Sequence, residues 1–299
     1  MKSHTFKIYT FILISMLCWS FSYIWTKIGL ESFRPVTLIT LRLLISAILL
    51  YVFLFFTRKL KKIEKKDLKL FILLAIFEPY LYFIGETYGL TMVKPSLAAV
   101  IVATIPVFAP FFASIFLKEH ITALNIVGIL ISVLGVFFMV NSLSNGEINS
   151  VRGILLMFLA VISAIIYGLI LRKIPSTYSS TNIIFYQNAI GLIFFIPTFF
   201  AVDFKNISGI SIRVQSVEAV ILLSIFASTV AFVLFAEVVR AIGIAKSEVF
   251  TNLIPVFTAF LSWFFLKDAM NLMQWIGVFV VILGVFVSQS KINRKRRTN

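Results

Sequence analysis

The 299-residue sequence is poor in chemistry: one cysteine, two histidines, twelve acidic residues, and 13% charged residues in all. The lone Cys18 excludes an intrachain disulfide and a cysteine-based metal cluster. His4 and His120 stand at the ends of apolar segments without metal-ligand spacing. There is no glycine-rich phosphate loop and no nucleophile with a recognisable base, so neither ATP hydrolysis nor any other enzymatic step has a signature and no cofactor is implied. Charge this sparse also excludes an ordinary soluble domain.

What the chain has instead is apolar length. Hydrophobic residues make up 60% of it and the mean hydropathy is +1.04. A helix crossing the hydrocarbon core needs about 20 apolar residues. Ten such stretches lie between polar punctuation: 8–30, 36–57, 68–92, 96–117, 123–141, 151–171, 182–202, 217–239, 245–266 and 272–289. Each is a nearly unbroken apolar run rather than the alternation of a membrane barrel, which predicts helices that satisfy their own backbone groups in lipid. Lys2 and Lys7 precede the first run as in a signal peptide, but no small-residue cleavage site follows, so a retained first helix is expected.

The net charge of +15 is spread over segment ends, not over an aromatic-interleaved surface, which argues against nucleic acid. With the N-terminus inside, 19 of the 27 cations fall on the cytoplasmic side, which predicts both termini in the cytoplasm. The run from Arg58 to Lys69 and the Lys-Arg tail read as anchors on anionic lipid headgroups.

Shifting the sequence by 149 positions aligns its two halves without gaps. Ile105-Pro106-Val107-Phe108 meets Ile254-Pro255-Val256-Phe257, and Leu117-Lys118-Glu119 meets Leu266-Lys267-Asp268. Gly128 meets Gly277, and Leu134-Gly135-Val136-Phe137 meets Leu283-Gly284-Val285-Phe286. Five spans are an odd number, so a copied unit must enter the membrane upside down. The expected fold is therefore all-α and polytopic, with ten transmembrane helices in two inverted five-helix repeats, 1–145 and 146–299, around a central cavity. Such a pair can open a central site to each side in turn.

Ionisable groups inside spans cost about 2.5 to 3.5 kcal/mol each and need a reason to be there. Glu78, Tyr82 and Glu86 recur every fourth residue in the third segment, which on an unbroken helix makes a polar stripe. A poorly solvated carboxyl exchanges protons near neutral pH, so Glu78 or Glu86 is a candidate for binding substrate or protons; interhelical hydrogen bonding is the structural alternative. Trp19, Tyr23 and Tyr82 offer rings on which a solute could stack, with lipid packing as the alternative. Pro79, Pro106, Pro110 and Pro255 are expected to kink their helices, as hinges or cavity-shaping residues. Lys27 and Arg42 are expected to snorkel or to pair with Glu31, Glu237 to pair with Arg240, and Gln187 and Asn188 to bond across helices.

Trp19-Ser20-Phe21-Ser22-Tyr23 with Lys27, Arg42 in the second segment, and the repeated proline, glycine and acid pattern together resemble the drug/metabolite transporter superfamily, in particular its bacterial EamA-type exporters. The resemblance covers essentially the whole chain. It implies a cavity lined by segments 1, 3, 4, 6, 8 and 9, with 5 and 10 at the periphery supporting dimer contacts, in a monomer or homodimer of a bacterial inner membrane. It also implies a secondary transporter exporting amino acids or related metabolites, with protons as a coupling partner. Segment six departs from the pattern, carrying Ser163 and Tyr167 where segment one has its Trp-rich motif. The competing reading is a membrane-embedded enzyme using Glu78 and Glu86 as acid and base on a lipid-like substrate.

Overall fold

The computed structural model describes residues 2–92, 101–102, 104–141, 150–206, 211–266 and 272–289. The described residues are helical with short connections and no strand. We label the helices α1 (Lys2–Gly29), α2 (Pro35–Phe56), α3 (Leu68–Leu90), α4 (Ile105–Leu117), α5 (Ala123–Asn141), α6 (Val151–Lys173), α7 (Ser180–Val202), α8 (Val214–Ile242), α9 (Leu253–Leu266) and α10 (Leu272–Gln289). A one-turn helix, Ile244–Ser247, and a 3-10 segment, Glu248–Asn252, lead into α9. The expected segment 96–117 lies partly outside the described residues.

Six of these helices, α1 from Thr5 onward, α2, α3, α6, α7 and α8, are long and apolar enough to cross a membrane. Ile105–Leu117, Ala123–Phe138 and Trp275–Ser288 are shorter apolar helices. The bundle is inverted in polarity relative to a soluble protein. Phe6, Phe53, Phe111, Phe279 and Phe286 are exposed on its surface while Ser20, Arg42, Glu78, Asn188 and Glu248 are buried in it, which is the arrangement hydrocarbon solvent favours.

Local signals explain where helices begin. Pro35 opens α2 at a position whose N–H would have no intrahelical acceptor. Arg34 supplies no side-chain cap there; instead the Asp203 carboxylate, from the far end of α7, accepts from the Thr37 backbone N–H (2.8 Å) and hydroxyl (2.9 Å). Ser179 caps α7, accepting from Asn182 N. The basic connection 57–67 is held by its backbone: Asn182 accepts from Lys61 N and donates to Lys59 O, and Tyr178 accepts from Glu64 N while donating to Asp67.

The halves meet through exchanged contacts. α1 packs on α8, and α3, its equivalent partner under the 149-residue shift, packs on α6; α2 pairs with α7 and α5 with α10. The α5–α10 crossing is close because glycines line it. A β-carbon on Gly128 would collide with Gly284 O and Ser288 N, and one on Gly135 with Gly277 O and Val281 N. Numbers rise along α5 as they fall along α10, so the two helices are antiparallel. The resemblance assigned these helices to dimer contacts; their glycine faces are taken up by each other.

Candidate functional site

The third helix of each half loses its α-helical ladder midway. In α3 the backbone is π-helical over Ile76–Leu81, with Glu78 at φ −146°, ψ 119° and a cis bond to Pro79. In α8 it is π-helical over Leu223–Ala231, which contains the positions 149 residues further on. A π turn leaves carbonyls short of donors, a serious cost away from water. Around α8 they are supplied by neighbouring helices, Ser15 Oγ donating to Ala231 O (3.1 Å) and Ser46 Oγ and Asn188 Nδ2 to Ser228 O (3.2 and 3.1 Å), and by α8 itself, where Thr229 Oγ1 donates to Ser224 O (2.8 Å).

Two equivalent contacts join the interrupted helices to α2 and α7, with opposite chemistry. Arg42 on α2 donates from Nε to Ser228 Oγ on α8 (2.8 Å), and its guanidinium lies 4.3 Å from the Phe83 ring centre. The exchanged counterpart sets Gly191 on α7 against Pro79 on α3, so closely that a β-carbon on Gly191 would stand 2.5 Å from Pro79 Cγ. One side of the centre is thus polar and the other apolar.

Around Arg42 the structure gathers most of the expected site. Arg42 lies within electrostatic reach of Glu86, Tyr82 and Glu78, and Tyr23 within reach of Glu86. Tyr82 Oη donates to Glu86 (3.0 Å). Glu78 faces a third acid, Glu248, in the 3-10 segment before α9. Glu248 was not among the expected residues. It sits beside Lys246 at the edge of an apolar run, where an acid reads as part of a connection. An acid in the opening turns of a span-length segment was the available signal.

Several expectations are corrected by this geometry. The Glu78, Tyr82, Glu86 stripe presupposed a continuous α-helix, and the interruption at Glu78 and Pro79 breaks its register. Trp19 is not free to stack on a solute in this conformation, because Phe232 and Phe235 pack edge-on against it at 5.2 and 5.0 Å. Pro106 falls in the first turn of α4, where a missing N–H breaks no hydrogen bond, so it starts that helix instead of kinking it, and Pro255 stands just past the junction of the 3-10 segment with α9. Pro110 lies inside α4. Arg42 is buried and does not snorkel, whereas Lys27 is exposed. Glu31 pairs with Arg213 (2.7 Å), and Arg240 donates to Tyr178 O (2.7 Å) in place of the expected pairing with Glu237. Asn188 bonds across helices as expected, and Gln187 approaches Tyr167 on α6, though its Oε1 is buried without a hydrogen bond.

Apolar helices around a buried polar centre define an integral membrane protein of the helical, polytopic class. The sequence profile of the EamA-like transporter family matches residues 6–141 and again 151–289. The chain belongs to the EamA-like transporter family. An uncharacterized transporter of Archaeoglobus fulgidus is 25% identical over 287 residues, covering 95% of this chain and 98% of that protein. The uncharacterized transporter YoaV of Bacillus subtilis is 22% identical over 295 residues, covering 97% and 99%. A solved crystal structure with 15% identity superposes with a TM-score of 0.79 over 93% of this chain and 98% of its own, a likeness of fold. The family makes the protein a membrane transporter, with a small-molecule substrate.

Proposed function

We propose that the chain is a secondary transporter that moves small organic solutes, amino acids or related metabolites, outward across a bacterial inner membrane by alternating access. Ten spans form two inverted repeats, 1–145 and 146–299, with both termini in the cytoplasm. One observation carries this reading: contacts between the halves come in exchanged pairs. Gly128 meets Gly284 while Gly135 meets Gly277, and Arg42 meets Ser228 while Pro79 meets Gly191. Each second contact is the first with both residues moved to their 149-shifted equivalents, the signature of a two-fold axis. The antiparallel course of α5 and α10 supports inversion, and the double match of the family profile supports the division into repeats.

Between such halves, matched π segments in α3 and α8 are the places where backbone can bend with least loss of hydrogen bonding. Glu78 and Glu86 are our candidates for proton coupling, with Tyr23 and Tyr82 as solute contacts. The test is counterflow in proteoliposomes. Vesicles loaded with an unlabelled amino acid mixture should accumulate external labelled amino acids transiently and saturably. Flux that rises linearly with concentration and ignores internal solute would overturn a carrier.

A further inference from the structure

The buried groups around Glu78 and Glu248 have unused hydrogen-bonding capacity of one kind. Both carboxyls are inside the bundle, 6% and 7% exposed, and among the described residues neither makes a hydrogen bond or ion pair. Glu248 reaches α6 where Gly168 leaves room: its Oε1 is 3.7 Å from the place a β-carbon would occupy. The preceding residue, Tyr167, is 4% exposed, lies within electrostatic reach of both acids, and its hydroxyl has no hydrogen-bond partner. Gln187, 1% exposed, lies beside the Tyr167 hydroxyl, and its own Oε1 is buried without a partner. Buried polar atoms in native proteins are almost always satisfied, so a cluster of orphans calls for a visitor.

The inventory of these atoms says what the visitor carries. Two carboxylates, in their ionised form, and an amide oxygen only accept, and a tyrosine hydroxyl can do so. Arg42, the cation within electrostatic reach of Glu78 among the described residues, is already held by Ser228 and Phe83. What is missing is a compact group with several donors and a positive charge. A primary ammonium, with three N–H donors, supplies it.

We propose that Glu78, Glu248, Tyr167 and Gln187 form the seat for a primary ammonium group, so that the transported solute is an amine. This rests on the transporter reading and narrows its substrate class. Recognition runs through the amine; a carboxylate without one gains nothing among these acids and is excluded by their charge.

The purified full-length protein in lipid nanodiscs is titrated with isoamylamine, isoamyl alcohol and isovalerate, one alkyl chain bearing three head groups, and binding is read by thermal shift and calorimetry. The amine should bind, with the alcohol and the acid at least tenfold weaker. Glu248→Gln should weaken the amine at least tenfold, equivalent to about 1.4 kcal/mol, while Glu218→Gln, an exposed acid elsewhere, should not. If Glu248→Gln does not fold, Tyr167→Phe, which removes one hydroxyl, should weaken the amine severalfold. Failure of the amine to bind, equal binding of the three head groups, or unchanged amine affinity in the folded variants would overturn the proposal. Counterflow of amino acids without any such amine preference would sink the ammonium seat and leave the carrier intact. Amine binding without counterflow of any solute would do the reverse.

Discussion

Acids inside the bundle are accommodated in different ways, and the difference separates structure from function. Glu86 has Tyr82 donating to it and Arg42 within reach, which makes it the better compensated of the two coupling candidates. Glu78 has no hydrogen bond and faces another acid, a poor arrangement for stability and a useful one for a group that must take up and release a proton. Glu78→Gln should therefore abolish the acceleration of flux by an imposed pH gradient while leaving membrane insertion intact; an unchanged pH response in proteoliposomes would remove Glu78 from coupling. Asp203 is structural by contrast. Asp203→Ala, which strips the cap from α2, should cost about 1 kcal/mol in detergent unfolding, and Asp203→Asn less; equal loss in both would refute a capping role. The residues around Arg42 were largely legible in the sequence because charge and aromatics stand out in apolar runs. Glu248 was not, because it follows Lys246 at a segment edge, and Trp19 departs from expectation because which ring meets which is decided by packing between helices distant in sequence.

Helix existence was legible for the same reason that the chain suits lipid: apolar length between polar breaks. Helix interiors were less so. Pro79 announces the interruption in α3, but α8 bends at the equivalent place with no proline, through Ser224, Ser228 and Thr229 and the donors brought by Ser15, Ser46 and Asn188. A gap in a hydrogen-bond ladder filled by side chains from other helices has no signature within its own helix. The shared glycines marked the repeat in the sequence without showing what packs against them. Gly128→Ala and Gly168→Ala should behave oppositely. At Gly128 the new carbon meets backbone of α10 and should cost about 1–3 kcal/mol. At Gly168 its nearest neighbour is a side-chain carbon 3.6 Å away, and the gain in helix propensity makes the change neutral or stabilising by up to about 1 kcal/mol. Thermal unfolding of the two variants in the same detergent decides it, and equal effects would contradict the packing described here.

Across the entire chain, the internal shift of 149 residues is the deepest regularity. It aligns glycines, prolines and acids in the sequence, and it reappears as exchanged contacts in space, including pairs such as Arg42–Ser228 and Pro79–Gly191 whose members no longer share any chemistry. The proposed seat draws Glu78 from one half and Tyr167, Gln187 and Glu248 from the other, and none of the four has a like residue at its 149-shifted position. If the halves are inverted, equivalent positions must lie on opposite sides of the membrane. Lys62 and Ser211, exposed and 149 residues apart, provide the most direct measurement. In a Cys18→Ala background, Ser211→Cys should react with an impermeant maleimide in intact cells, and Lys62→Cys only after the membrane is permeabilised. Labelling of both positions from the same side would contradict the inverted duplication on which the transport mechanism stands.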